Sequence, residues 1–347
     1  MTHNPGMLAI GLMLGIGAAA MVLSAIATGI VRRHAIHHAM FDVPNRRSSH
    51  TVPTPRGGGA AIVGVVALSI VLATGFNTLP MKIGFAMSGG GMIIAVIGWI
   101  DDRHDVRAAW RAVTHLCAAS WAVYWIGDVG PLSLDGFATL PVLLVRALWV
   151  LAIAWATNLY NFMDGIDGIA AVETIVAGCV GAAVLLLGNA FGLAIVSATL
   201  GGAAAGFLVW NRMPARVFMG DVGSGFLGFI FAVIALASSR GGKVSAIVWV
   251  LLLLAFITDA SVTLLRRALR GEPWTSAHRL HAYQRLVQSG LSHAQVVRFV
   301  ALIDGLLAIL AVTVFLRPDL AWPAVAFGLL IVGACYVAVE LRRRMWA

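Results

Sequence analysis

The sequence predicts an all-α polytopic membrane protein, and three observations carry the prediction. Of 347 residues, 60% are hydrophobic and 11% charged, whereas a soluble domain carries about 25% charged residues. Apolar runs near the length of a membrane span, roughly 20 residues, recur along the whole chain. The basic residues sort by loop, as a chain threaded through a bilayer requires.

Eleven runs read as transmembrane helices: 7–31, 58–75, 83–100, 112–127, 142–159, 169–187, 190–209, 223–239, 244–265, 297–316 and 321–341. The first does not read as a signal peptide. It lacks a basic leading region, is too long, and is followed by Arg32 and Arg33. No soluble domain, long polar linker or low-complexity tail interrupts the series, so residues 1–347 read as one membrane domain. Cys117, Cys179 and Cys335 stand isolated in apolar runs, without metal-ligand spacing, and are expected to face lipid or pack.

With the N-terminus outside, inside segments hold 19 of the 24 lysines and arginines. Lys82, Arg146, Arg240, Lys243 and Arg317 remain outside. The net charge of +9 is then a positive-inside signal, and no nucleic-acid partner is expected. Helix parity puts the C-terminus in the cytoplasm. It also puts four polar clusters on the cytoplasmic side: "DDRHD" (101–105), "NLYNFMDGIDG" (158–168), "NRMPARVFMGDVGSG" (211–225) and "AHRLHAYQR" (277–285).

Each cluster has its own chemistry. Asp101 and Asp105 are four apart and share a helix face, which suits a divalent cation or a proton relay. A charged cap, with Asp102 paired to Arg103 or Arg107, explains the same residues. In the second cluster, Asn158, Asn161 and Asp164 can share a face over two turns. Asp167 drifts away unless the helix breaks, and Gly165 and Gly168 offer that break. In the third, Gly220, Gly223 and Gly225 flank Asp221 and Ser224, so backbone and helix N-terminus can meet a phosphate. A plain N-cap at Asp221 is the simpler alternative. In the fourth, His278, His281 and Arg285 fall at i, i+3 and i+7 beside Arg279, a face suited to phosphate or to anionic lipid. Ser292 and Gln295 have capping-box spacing and start the tenth helix. Together, acids that hold a metal and arginines that hold a diphosphate suit a phosphoryl transfer. A transporter is the reading from another class. The acids would then form an ion site near the midplane, whereas here they lie at helix ends on one face.

"DDRHD", "NLYNFMDGIDGIAA" and "FMGDVGSGFLG" resemble, in order, the three signature motifs of the polyprenyl-phosphate N-acetylhexosamine-1-phosphate transferases. "FDVPNRRSSHTVPTPRGGGAAIV" (41–63) resembles that family's first cytoplasmic loop. The resemblance runs from about Phe41 to Gln295. It implies eleven helices in a bacterial inner membrane and a site facing the cytoplasm. It also implies Mg²⁺ or Mn²⁺, a UDP-N-acetylhexosamine donor and an undecaprenyl-phosphate acceptor, with UMP and a diphosphate-linked lipid sugar as products. Membrane lipid is the surrounding partner, and a homodimer is the assembly to test. By motif match, Asn161 and Asp221 would hold the metal. Asn158, Asp164, Asp167, Asn211 and Arg56 would lie at the nucleotide and diphosphate. Asp101 and Asp102 would handle the lipid phosphate, with Asp221 completing the catalytic set. His278, Arg279 and His281 would meet the donor. Two departures bear on branch. The muropeptide translocases carry a lysine after the paired aspartates and a run of histidines in the last loop, where this chain has Asp105 and "HRLHAYQ". This points to O-antigen or related initiators. The loop also differs from the "HxHH" ending of the GlcNAc-specific branch, which leaves the donor sugar open.

Overall fold

The computed structural model describes residues 5–44, 52–127, 132–134, 138–272 and 278–346. Expectations for Arg46, Arg47 and Ala277 lie outside the described residues. The helices are α1 (Pro5–His37), α2 (Gly59–Gly75), α3 (Met81–His104), α4 (Ala108–Ile126), α5 (Val142–Met163), α6 (Ile169–Leu187), α7 (Phe191–Asn211), α8 (Asp221–Arg240), α9 (Ala246–Leu252), α10 (Leu254–Leu269), α11 (Ala282–Gln288), α12 (His293–Leu316) and α13 (Ala321–Arg342). Two short antiparallel ribbons, Phe41–Asp42 with Thr54–Pro55 and Leu132–Leu134 with Ala138–Leu140, join helix ends.

The apolar runs all become helices, and all but one become a single helix. The exception is the ninth, which breaks after Leu252 and bends by 74° into α10. The sequence on both sides of that bend is leucine-rich, so hydropathy does not register it. Among the described residues, eight helices are long and apolar enough to cross a membrane, or nine with the bent pair taken as one span. Among the rest, α2 is apolar but has 17 residues, and α4 carries Arg111 and His115 in its first turns. The chain is therefore a polytopic membrane protein.

Helix α8 is the centre of the bundle. Over its apolar window, 94% of residues are buried, against 17% for α1. It packs mainly on α3 and α5. Close approach needs small residues. A Cβ on Gly98 of α3 would fall 2.6 Å from Val222 N, at the first turn of α8. The glycine lets α3 carry its terminal aspartates up to the start of α8. Ser292 and Gln295 form the expected capping box at the start of α12. Cys117 and Cys179 are free and exposed on the bundle surface.

Two acids inside spans escaped the sequence reading. Glu173 of α6 and Asp304 of α12 are 0% and 1% exposed. Their carboxyls lie within hydrogen-bonding reach of each other and have no other partner among the described residues.

Candidate active site

The paired aspartates at the end of α3 do different work. Successive helix residues point about 100° apart, so Asp101 and Asp102 face different neighbours. Asp102 has a fully buried side chain. It accepts from Asp221 N at 2.8 Å and Val222 N at 3.3 Å, capping α8 from a neighbouring helix. Its other partner is Arg56 Nε at 2.8 Å. The alternative pairing of Asp102 with Arg103 or Arg107 does not form among the described residues. Gly220, at φ 77°, shapes the turn, and a Cβ there would strike the Asp102 carboxylate. The first amides of α8 are thus already taken, contrary to the expectation that they greet a phosphate.

Asp101 turns the other way, into a cavity. It accepts from Val106 N at 2.6 Å and from Arg111 Nη1 at 2.5 Å. Arg111 also reaches Asp221 Oδ2 at 3.4 Å, while Arg56 Nη2 donates to Asp221 Oδ1 at 2.8 Å. Asp221 is therefore held between two arginines. Burial works against the charge of Arg56, but the carboxylates of Asp102 and Asp221 overcome it and raise its proton affinity. Asp105 lines the same cavity as Asp101 but does not continue its helical face. It is the left-handed cap of α3, at φ 42°.

The break after α5 forms as the two glycines suggested. Asn158 and Asn161 line the cavity, and Asn161 Nδ2 donates to Ser224 Oγ at 3.1 Å. Asp164 is the cap residue of α5. Burial, and then the charge of Asp221, push its carboxyl well above the usual carboxylate range. Asp167 does not swing back to the cavity. Its Oδ2 accepts from Ala215 N at 3.1 Å and lies 3.4 Å from His293 Nδ1. Asn211 is 3% exposed, accepting from Gly168 N at 2.8 Å and donating to Val217 O at 2.9 Å. These two residues tie the broken segment to the 212–217 turn.

The expected helical face over 278–285 is absent. Helix α11 begins at Ala282, with His281 as its N-cap. Asp259 of α10 caps it, accepting from Ala282 N at 2.8 Å and Tyr283 N at 3.2 Å. His281 Nδ1 lies 3.4 Å from Asp259 Oδ1. His278 and His281 have ring centroids 4.9 Å apart. Burial, and then the neighbouring His281 and Arg267, lower His278 to about 4. Arg285 turns away, to Glu340 of α13 at 2.5 Å. The C-terminal segment holds this loop in place. Arg343 Nε donates to Gln288 Oε1 at 3.1 Å, and Gln288 Nε2 donates to Arg279 O at 2.7 Å. Trp346 Nε1 donates to Glu272 at 2.7 Å under the guanidinium of Arg270.

These pieces enclose a cavity of about 660 Å³. Of the expected site residues, Arg56, Asp101, Asn158, Asn161, Asp221, His278 and His281 line it. Asp102, Asp164, Asp167, Asn211 and Arg279 do not. Arg111, His115 and Tyr283 line it without having been singled out in the sequence. A divalent cation fits the Asp221–Asn161 corner, which offers hard oxygen ligands beside a large space. Among the described residues, no three His, Cys, Asp or Glu side chains converge as a metal-holding group. A Mg²⁺ ion there would complete its shell with water or with oxygens of a phosphorylated ligand, as Mg²⁺ usually does.

Residues 84–239, which carry the two asparagines and the acid–arginine cluster except Arg56, match the model of the family described as glycosyl transferase family 4. A decaprenyl-phosphate N-acetylglucosaminephosphotransferase from Mycolicibacterium smegmatis is 32% identical over 95% of this chain and 88% of its own length. The chain belongs to glycosyl transferase family 4. Other relatives place it within the family. A probable undecaprenyl-phosphate N-acetylglucosaminyl 1-phosphate transferase from Bacillus subtilis is 33% identical over 83% of this chain and 80% of its own. A phospho-N-acetylmuramoyl-pentapeptide-transferase from Chlamydia muridarum is 30% identical, but over 59% of this chain and 66% of its own. Family 4 membership favours the transferase reading of the buried acids over the transporter one.

Proposed function

We propose that this protein transfers an N-acetylhexosamine 1-phosphate from a UDP-sugar to undecaprenyl phosphate, releasing UMP. The observation that carries this is Asp221, held between Arg56 and Arg111 beside Asn161 in the large cavity. An oxygen of the lipid phosphate attacks the β-phosphorus of the donor. A new P–O bond forms, and the bond from that phosphorus to the bridging oxygen breaks. UMP leaves with the electron pair. Such transfers need positioning and charge stabilisation more than covalent help from the protein. Arg56 and Arg111 leave Asp221 for phosphoryl oxygens. Asp101, freed of Arg111, orients the attacking phosphate or takes its proton. Asp221 and Asn161 would hold the Mg²⁺ or Mn²⁺, whose chemistry is to neutralise the diphosphate charge. Asp164, Asp167 and Asn211 support the nucleotide side through the broken segment. His278 and His281 meet the donor from the cavity wall, and Arg279 would turn in from beside them.

The same reading sets the protein in a bacterial inner membrane as one eleven-span domain, N-terminus outside and C-terminus in the cytoplasm. The cavity then opens to the cytoplasm. The product starts an O-antigen or related surface polysaccharide, and the protein works singly or as a homodimer. The names of the mycobacterial and Bacillus relatives make UDP-GlcNAc the first donor to test. The test is UMP release by purified protein from a panel of UDP-sugars, with undecaprenyl phosphate and Mg²⁺. UMP release that needs both additions supports the proposal. No release from any UDP-N-acetylhexosamine overturns it.

A further inference from the structure

Helix α4 carries Arg111 into the acid cluster, and one turn further on the same face it carries His115. His115 is 8% exposed and lines the cavity. Its Nδ1 lies 2.9 Å from Asn158 Nδ2, and that amide nitrogen lies 2.8 Å from Ala154 O. The second contact decides the first. A main-chain carbonyl only accepts, so the Asn158 atom beside it must be the nitrogen. That nitrogen gives its other hydrogen to His115, and Nδ1 is the acceptor. The ring therefore carries one proton, on Nε2. Nε2 is what His115 offers a ligand in the cavity, and Asn158 Oδ1 is the acceptor beside it.

Position indicates which ligand. His115 and Asn158 sit one turn below the layer of Asp101, Arg111 and Asn161, further into the bundle. Around them the wall turns apolar, with Ile94, Ile97, Ala112 and Trp155. The proposed function gives the 278–284 side of the cavity to the nucleotide sugar, whereas a lipid phosphate arrives from the bilayer. The floor therefore meets the acceptor. A phosphate monoester accepts from Nε2–H and, when singly protonated, donates its P–OH to Asn158.

We propose that His115 binds the phosphate of the polyprenyl acceptor as a fixed Nε2–H donor, oriented by Asn158, and does not exchange protons during turnover. This rests on the sugar-phosphate transfer proposed above. Three variants test it in purified, folded protein. Gln copies the pattern of an acceptor toward Asn158 and a donor toward the cavity. Glu has no donor, and Leu has neither. A lost hydrogen bond to a charged group costs roughly 10-fold or more in affinity. His115→Leu and His115→Glu should raise KM for undecaprenyl phosphate about that much, with KM for the UDP-sugar unchanged. His115→Gln should bring the acceptor KM back to within a few-fold, with an unaltered pH profile. If Gln is as poor as Leu and the pH profile loses a limb, His115 is an acid–base group and the proposal is overturned. An unchanged acceptor KM in the Leu variant, or a raised donor KM in its place, also overturns it. Should the Leu variant not fold, the comparison of Glu with Gln decides. Wild-type protein that releases no UMP would overturn the reaction itself. Wild-type turnover with an unaltered Leu variant overturns only this inference.

Discussion

Replacing Asp102 with Asn should cost stability before it costs chemistry. The side chain is sealed from solvent, and it caps Asp221 N and Val222 N while pairing with Arg56. Asparagine keeps the shape and one oxygen, so the 2.8 Å bond to Asp221 N survives in neutral form. That oxygen also faces Arg56 Nε, so the new amide group takes the place of Oδ2 against Val222 N–H, another donor, and Arg56 loses the carboxylate's charge. Hydrogen bonds to charged groups contribute roughly 1.5–3 kcal/mol, and breaking a buried ion pair costs about 3–5 kcal/mol. With part of the cap retained, we expect a loss of about 3 kcal/mol for Asn. Asp101→Asn is the control. Its partner Arg111 is 33% exposed and keeps Asp221, so that loss should stay near 1 kcal/mol or below. The assay is thermal unfolding of detergent-purified protein, read by the monodisperse fraction. At roughly 2 °C per kcal/mol for a large chain, Asp102→Asn should melt about 6 °C lower. UMP release per folded molecule should fall much less than in Asp101→Asn. An Asp102→Asn protein as stable as wild type, yet inactive, would refute the capping argument and make Asp102 a participant in the chemistry.

Asp221→Ala should lower UMP release by about 10²–10³-fold or more while the protein still purifies monodisperse; near-normal turnover would remove Asp221 from the site. His278 is held near 4 by burial against an ordinary 6.5, so the unfolded chain binds more protons between those values. Stability should therefore fall as pH drops from about 6.5 toward 4, and His278→Gln should flatten that fall in melting curves taken across the window. Glu173→Gln should raise stability by about 1 kcal/mol, because the amide donates to Asp304 and removes one of two buried acids that lack a cation. A melting point lowered as much as in Glu173→Ala would contradict this.

The helices were legible because a span must be apolar throughout, and that signal survives in any bundle. The 74° bend was not, because Leu252 and Leu254 are equally apolar and no proline or glycine marks the break. The α5–α6 break was legible because Gly165 and Gly168 punctuate it. At the site, the sequence brought the right motifs together but could not divide labour within them. Asp101 and Asp102 are neighbours in the chain, and only the packing of α8 against α3 makes one a cap and leaves the other in the cavity. Arg111 stayed hidden because the turn at Asp105 cuts helical periodicity between it and Asp101. Asp259 did leave a signal, as a lone acid within the apolar run 244–265, which called for a partner such as the start of α11.

The acid–arginine cluster also bears on how the protein can be handled. Asp101 has Arg111 and a main-chain amide, Asp102 has Arg56 and the start of α8, and Asp221 has both arginines. Two arginines are shared by three carboxylates, so the cluster keeps one negative charge that an ion from solution can offset. If that ion is the one the proposed transfer uses, a chelator should stop turnover and also lower the melting point, and adding the ion back should restore both.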